Sequence, residues 1–179
     1  MPLDFGRLSM TELRTRPGEI LDRVAERGEA FVIERDGQQR ACLVPLSLFL
    51  PDIAPNRIAA ELAELAQSGE RPMTRITEAR ELALRLPPEP SQQAPFEITV
   101  VLPHGYPNKC PRVYAEPLES GTPHRWADGA LCLFGVATAW NPGKHTVSSA
   151  LDLARAWLQH YERWRKTGAW PKTENSNVE

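Results

Sequence analysis

Thr122-Pro-His-Arg-Trp-Ala-Asp-Gly-Ala-Leu-Cys132 sets an imidazole eight residues ahead of a cysteine that Leu133 follows. A thiolate is a strong nucleophile and a good leaving group. A cysteine can therefore take an acyl group as a thioester and pass it to an amine. The competing reading is a buried, inert thiol, the usual state of a free cysteine. Asp128-Gly129 marks a turn, so Cys132 follows a loop that neither helix nor strand periodicity claims. Upstream of the loop stands Tyr106-Pro-Asn-Lys-Cys-Pro-Arg-Val113, and downstream stand Trp140-Asn-Pro142 and Thr146-Val147.

The segments around this loop read as an α+β domain. Asn56 is a candidate helix cap, Ile58, Ala59, Leu62, Leu65 and Ala66 share one face, and Gly69 stops the helix. Leu82, Leu84 and Leu86 alternate with other residues, as do Phe96, Ile98, Val100 and Leu102. With Arg112-Val-Tyr-Ala115 they predict an antiparallel meander. A long helix follows Thr146. Its apolar face is Val147, Ala150, Leu151, Ala154, Trp157, Leu158, Tyr161 and Trp164, with Gly168 and Pro171 at its end.

In order, spacing and residue type, most of residues 57–166 resembles the ubiquitin-conjugating fold. That family has a Tyr-Pro-x-x-x-Pro-x-Val segment, a His-Pro-Asn tripeptide, a Gly-x-x-Cys-Leu active site, Trp-x-Pro, and a helix beginning Thr-Val. The departure is Thr122-Pro123-His124, which stands in place of His-Pro-Asn. The last helices and the strand region also look shortened, as in a compact bacterial relative. The resemblance implies a thioester transferase. Cys132 would accept a ubiquitin-like modifier from an activating enzyme of the ThiF type and release it to an amine, with no metal or organic cofactor. His124 would stand where the family's Asn steadies the oxyanion, and an imidazole N–H can donate the same hydrogen bond or move a proton. Its competing role is to hold its own loop. Asp128 is a candidate for orienting His124 or an incoming lysine, set against an ordinary Asp-Gly turn. Trp126 and Trp140 are candidates to wall the site. Cys42 and Cys110 read as buried.

The first fifty residues read as a separate module, joined at Pro51-Asp-Ile-Ala-Pro55. Ser9-Met-Thr-Glu12 has the form of a capping box. Pro17 suits a first helical turn, Ile20, Leu21, Val24 and Ala25 share a face, and Gly28 ends the helix. Phe31-Val-Ile33 and Ala41-Cys-Leu-Val44 form a hairpin about Asp36-Gly37, and Ser47-Leu-Phe-Leu50 can start another helix. Met10-Thr-Glu-Leu-Arg14, Glu19-Ile-Leu-Asp-Arg-Val24, Arg27-Gly-Glu29, Val32-Ile-Glu-Arg-Asp-Gly37 and Ala41-Cys-Leu-Val-Pro45 resemble the N-terminal domain of the Phd/YefM antitoxin family. That resemblance implies a homodimer and operator DNA as a partner, with Ser9, Thr11, Arg14 and Arg16 as candidate phosphate contacts at a helix start. The expected organisation is thus a small α/β module over 1–50, a conjugating-like domain over 56–172 and a frayed tail over 173–179.

Composition bounds these readings. The chain has 179 residues, 41% hydrophobic and 25% charged, with a net charge of −2. It can bury a good core and has no bulk attraction for nucleic acid. Residues 1–56 hold seven Arg and nine Asp or Glu, which weakens the DNA reading relative to a plain dimerisation module. Three cysteines without metal-type spacing argue against a disulfide framework and against zinc, and for a reducing, cytoplasmic setting. No apolar run is long enough for a membrane span, and no signal-peptide pattern opens the chain. The rival function is a DNA-binding antitoxin or repressor in which the conjugating-like fold serves as a non-catalytic protein-binding platform.

Overall fold

The computed structural model describes residues 5–48, 55–88, 96–135 and 139–171. The chain divides into two units, Met1–Pro51 and Asp52–Glu179. The first contains β1 (Phe5–Ser9), α1 (Met10–Thr15), α2 (Pro17–Arg27), β2 (Ala30–Arg35) and β3 (Gln38–Leu43). β2 is central, parallel to β1 and antiparallel to β3. The capping box forms: Glu12 N–H donates to Ser9 Oγ at 3.2 Å, and Ser9 N–H donates to the Glu12 carboxylate at 2.9 Å. Pro17 opens α2 and Gly28 closes it in the left-handed conformation. Asp36 and Gly37 both take positive φ, the geometry that matches the twist of a two-residue hairpin.

The core of this unit is Leu8, Ile20, Val24 and Phe31, with Leu13, Ile33 and Leu43 packed against it. The Phe31 ring lies so close to β1 that a Cβ on Gly6 would stand 2.9 Å from it. Three sequence expectations are corrected here. Leu21 is 54% exposed and Ala25 is exposed as well, because only the Ile20–Val24 stripe of so short a helix meets the sheet. Cys42 is exposed, since β3 is an edge strand with only Leu43 turned partly inward. β1 precedes the helix that the sequence reading placed first; with Leu8 its one buried residue it shows no alternation. Leu46–Leu48 form a single 3-10 turn. The remainder of the helix expected from Ser47, and residues 51–54 of the proline connection, lie outside the described residues, as does the tail 173–179.

The second unit contains α3 (Pro55–Gln67), β4 (Met73–Ile76), β5 (Leu82–Leu86), β6 (Glu97–Leu102), β7 (Arg112–Glu116) and α4 (Val147–Thr167). The strands form one antiparallel sheet in the order β4-β5-β6-β7. β4 escaped the sequence reading because all four of its residues are exposed. α4 buries Val147, Ala150, Leu151, Ala154, Trp157, Leu158 and Tyr161, the face expected of it except for Trp164, which is half-buried near the helix end. Thr146 caps it through Ser149 N–H at 3.3 Å. On α3 the buried ridge is Ile58, Glu61 and Leu65, while Ala59 and Ala66 are exposed. Pro55 already belongs to α3, so Asn56 is a first-turn residue rather than its cap. Among the described residues no helix is long and apolar enough to cross a membrane.

Candidate active site

β6 runs into the Tyr106-Pro107 loop, β7 returns, and the chain then reaches Thr122. The Thr122 hydroxyl is buried and donates to Glu119 O at 2.6 Å, closing the turn that leads into Pro123. Residues 124–132 then form a small antiparallel hairpin. Trp126 N–H donates to Ala130 O at 2.8 Å, Arg125 pairs with Leu131, and Cys132 N–H donates to His124 O at 3.0 Å. The eight-residue spacing therefore sets His124 and Cys132 opposite each other on two paired strands. The tip closes through Gly129 N–H on Trp126 O at 2.9 Å. Gly129 has φ 88°, and a Cβ there would stand 3.0 Å from the Arg125 guanidinium.

The hairpin is fastened to the sheet by Leu131 N–H on Val113 O at 2.7 Å, and Ala130 and Leu131 are buried beneath it. Leu133 N–H reaches back to Leu131 O at 3.0 Å, a γ-turn that bends the chain at Cys132. Cys132 is half-buried and free. His124 has φ 56°, in the left-handed region where Asn and His are among the few enriched non-glycine residues. Its carbonyl accepts a second hydrogen bond, from Trp157 Nε1 at 3.2 Å. The residue is exposed, and its ring lies 4.8 Å from that of Trp170.

A profile of the family described as "Type II CBASS E2 protein" matches residues 61–177. The chain belongs to the type II CBASS E2 family. The match begins inside α3, and the Phd/YefM resemblance of the first fifty residues has no counterpart in it. One solved structure, "A complex of the Vps23 UEV with ubiquitin", is similar at 17% identity over 64% of this chain and 89% of that chain, with a TM-score of 0.45. Comparison with curated proteins returned no match.

The remaining candidates take separate places in the E2 unit. Asp128 accepts from Ala130 N–H at 3.1 Å and pairs with Arg112 at 3.4 Å. Its carboxylate thus serves the hairpin turn, and among the described residues no hydrogen bond joins it to His124. Trp126 and Trp140 both line an open cleft of about 690 Å³, together with Cys110, Leu131, Leu133 and Phe134. Trp126 is 57% exposed, whereas Trp140 is fixed by its Nε1 donating to Pro107 O at 2.6 Å. Cys110 is half-buried rather than fully buried, and desolvation pushes its thiol up to about 11, so it stays protonated at neutral pH.

The E2 unit also holds a buried polar cluster that no distinctive local sequence pattern marks. Glu61 is 2% exposed and its carboxylate accepts from Arg57 Nε at 2.7 Å, Val147 N–H at 2.6 Å and the Tyr106 hydroxyl. Arg57 also donates to His145 O at 2.7 Å and Pro142 O at 3.3 Å. The Tyr106 hydroxyl is held well above its ordinary range, first by burial and then by its bond to Glu61. The cluster ties α3 to the Tyr106 loop, to the segment after Trp140 and to the first turn of α4. Its only sequence signal is the Arg57–Glu61 spacing of four residues, which also fits an ordinary surface pair.

In the first unit, Ser9 is spent on its capping box. The Glu12 carboxyl, held below its usual range by hydrogen bonds from the Ser9 side chain and then its backbone, already stands at the helix start. Arg16 faces Glu19 at 3.6 Å, and Thr11 and Arg14 are exposed. The expected phosphate site thus has a carboxylate at its centre.

Proposed function

We propose that this type II CBASS E2 protein is an active conjugating enzyme that carries a ubiquitin-like modifier as a thioester on Cys132 and transfers it to an amine. The observation that carries this reading is the 124–132 hairpin, which pairs the backbone of a free, half-buried cysteine with that of His124. In charging, the Cys132 thiolate adds to the carbonyl carbon of the modifier's thioester on an activating enzyme, and that enzyme's thiolate leaves. In discharge, an amine adds to the Cys132 thioester, the Cys132 thiolate leaves, and the amine loses a proton as the amide forms. ATP is consumed by the activating enzyme, of the ThiF type, so the chain itself needs no cofactor. A charging reaction with that enzyme, the modifier and ATP should give a band on a non-reducing gel that thiol removes. No such band, with a demonstrably charged activating enzyme, overturns the reading.

His124 is assigned to the discharge step. Its imidazole N–H can donate to the oxyanion that forms when the amine attacks, as the Asn of the family tripeptide does. Losing one such donor costs about a hundredfold or more in rate. His124→Ala should therefore charge normally and discharge about a hundredfold more slowly. His124→Asn should recover part of the loss. Unaltered discharge in the alanine variant would leave His124 with a loop-holding role only.

The first unit is assigned to homodimerisation. Its small core leaves Phe5, Leu21, Leu46 and Leu48 between 39% and 54% exposed, apolar side chains that a second copy can cover. Light scattering should give twice 20.1 kDa for the full chain, and a monomer for a chain starting at Asp52 that still forms the thioester. A monomeric full chain rejects the assignment. The DNA-binding repressor reading is not favoured, given the acidic excess in residues 1–56 and the engaged Ser9 and Arg16.

A further inference from the structure

Gly168 ends α4 in the left-handed conformation, with its N–H on Trp164 O at 2.7 Å. Two residues later the indole of Trp170 lies against the helix it has just left, 5.1 Å from the Trp157 ring and 6.1 Å from that of His160. The same indole lies 4.8 Å from the His124 imidazole, with the planes 34° apart. That separation falls in the range of an interacting aromatic pair, with the two planes tilted rather than parallel.

His124 is thus held at two points. Its carbonyl is fixed by Cys132 N–H and by Trp157 Nε1. Its ring, on an exposed residue, would turn freely about two side-chain torsions were it not laid on an indole. Backbone anchoring cannot set the direction of an imidazole N–H; a close, tilted contact with a neighbouring indole can restrict it.

We propose that Trp170 is the positioning residue for His124: its indole holds the imidazole in the orientation from which it serves the thioester on Cys132. The inference rests on the assignment of His124 to discharge. It gives the segment beyond α4 a part in the chemistry, whereas a plain hydrophobic cap on the helix would have none. A shift of about 1 Å in a reacting group costs up to about a hundredfold in rate, so release of the ring should be visible kinetically.

The test uses the full chain, charged with modifier, freed of ATP and then mixed with an amine. Trp170→Ala and Trp170→Leu should charge as the wild type does and discharge at least about tenfold more slowly. Leu retains apolar bulk without a π face, and Trp170→Phe, which can still stack, should discharge near the wild-type rate. In a His124→Ala background, Trp170→Leu should cause no further loss. The His124 ring-proton resonances of the uncharged protein should move in Trp170→Leu and return toward the wild-type position in Trp170→Phe. Circular dichroism checks that α4 is intact, and Leu and Phe carry the comparison if the alanine variant unfolds. Wild-type discharge in Trp170→Leu beside a slow His124→Ala overturns this proposal alone. An equal slowing in both backgrounds overturns it too, because Trp170 would then act elsewhere. Wild-type discharge in His124→Ala removes the His124 assignment and this proposal with it.

Discussion

Cys132→Ala should abolish the thiol-labile conjugate altogether. The acyl group must be held by a nucleophile that can later leave, and alanine supplies none. Cys132→Ser should instead trap the modifier as an oxyester that survives thiol treatment, because an alkoxide is a much poorer leaving group. Neither remaining cysteine is expected to substitute. Cys42 lies in the other unit, on an edge strand. The Cys110 thiol is pushed up to about 11 by burial and stays protonated at working pH. Cys42→Ser and Cys110→Ser should accordingly charge as the wild type does. A thiol-labile band that persists in Cys132→Ala, or vanishes in Cys110→Ser, would move the nucleophile elsewhere.

Glu61→Ala should destabilise the E2 unit by about 3–5 kcal/mol, the usual cost of removing one partner from a buried ionic cluster. Three donors lose their acceptor at once: the Arg57 guanidinium, the Tyr106 hydroxyl and the Val147 N–H at the start of α4. Tyr106 is 1% exposed and Val147 fully buried, so water does not readily replace the carboxylate. Glu61→Gln keeps an acceptor but turns an amide donor toward these donors. It should cost less, about 1–3 kcal/mol. At about 2–4 °C per kcal/mol for a protein of this size, the alanine variant should melt roughly 6–20 °C lower, followed by circular dichroism. A shift of a degree or two would show that the cluster is dispensable. Because the cluster also fixes the Tyr106 loop and the segment after Trp140, charging should fail in Glu61→Ala before the helices melt.

Sequence alone determined a good part of this protein. The alternation of β5 and β6, the apolar face of α4, the Ser9 capping box and the Asp36-Gly37 turn are local or periodic signals that tertiary packing only had to accept. The Asp128-Gly129 turn was marked too, but residues 124–132 read as a loop; their pairing as a hairpin came from the tertiary structure. Tertiary structure decided the rest. β1 and β4 show no burial alternation and become strands only through the neighbours that pair with them. Leu21 and Cys42 are exposed because a small unit covers one stripe of its helix and leaves one edge of its sheet open. Glu61 looks like a surface carboxylate paired with Arg57 until two further donors, Tyr106 and Val147, reach it from distant segments. Trp170, lying beyond α4, meets His124 because Gly168 reverses the chain there. Periodicity records which face of an element is apolar; it does not record which distant element meets that face, and the buried cluster and the His124–Trp170 pair depend on that meeting.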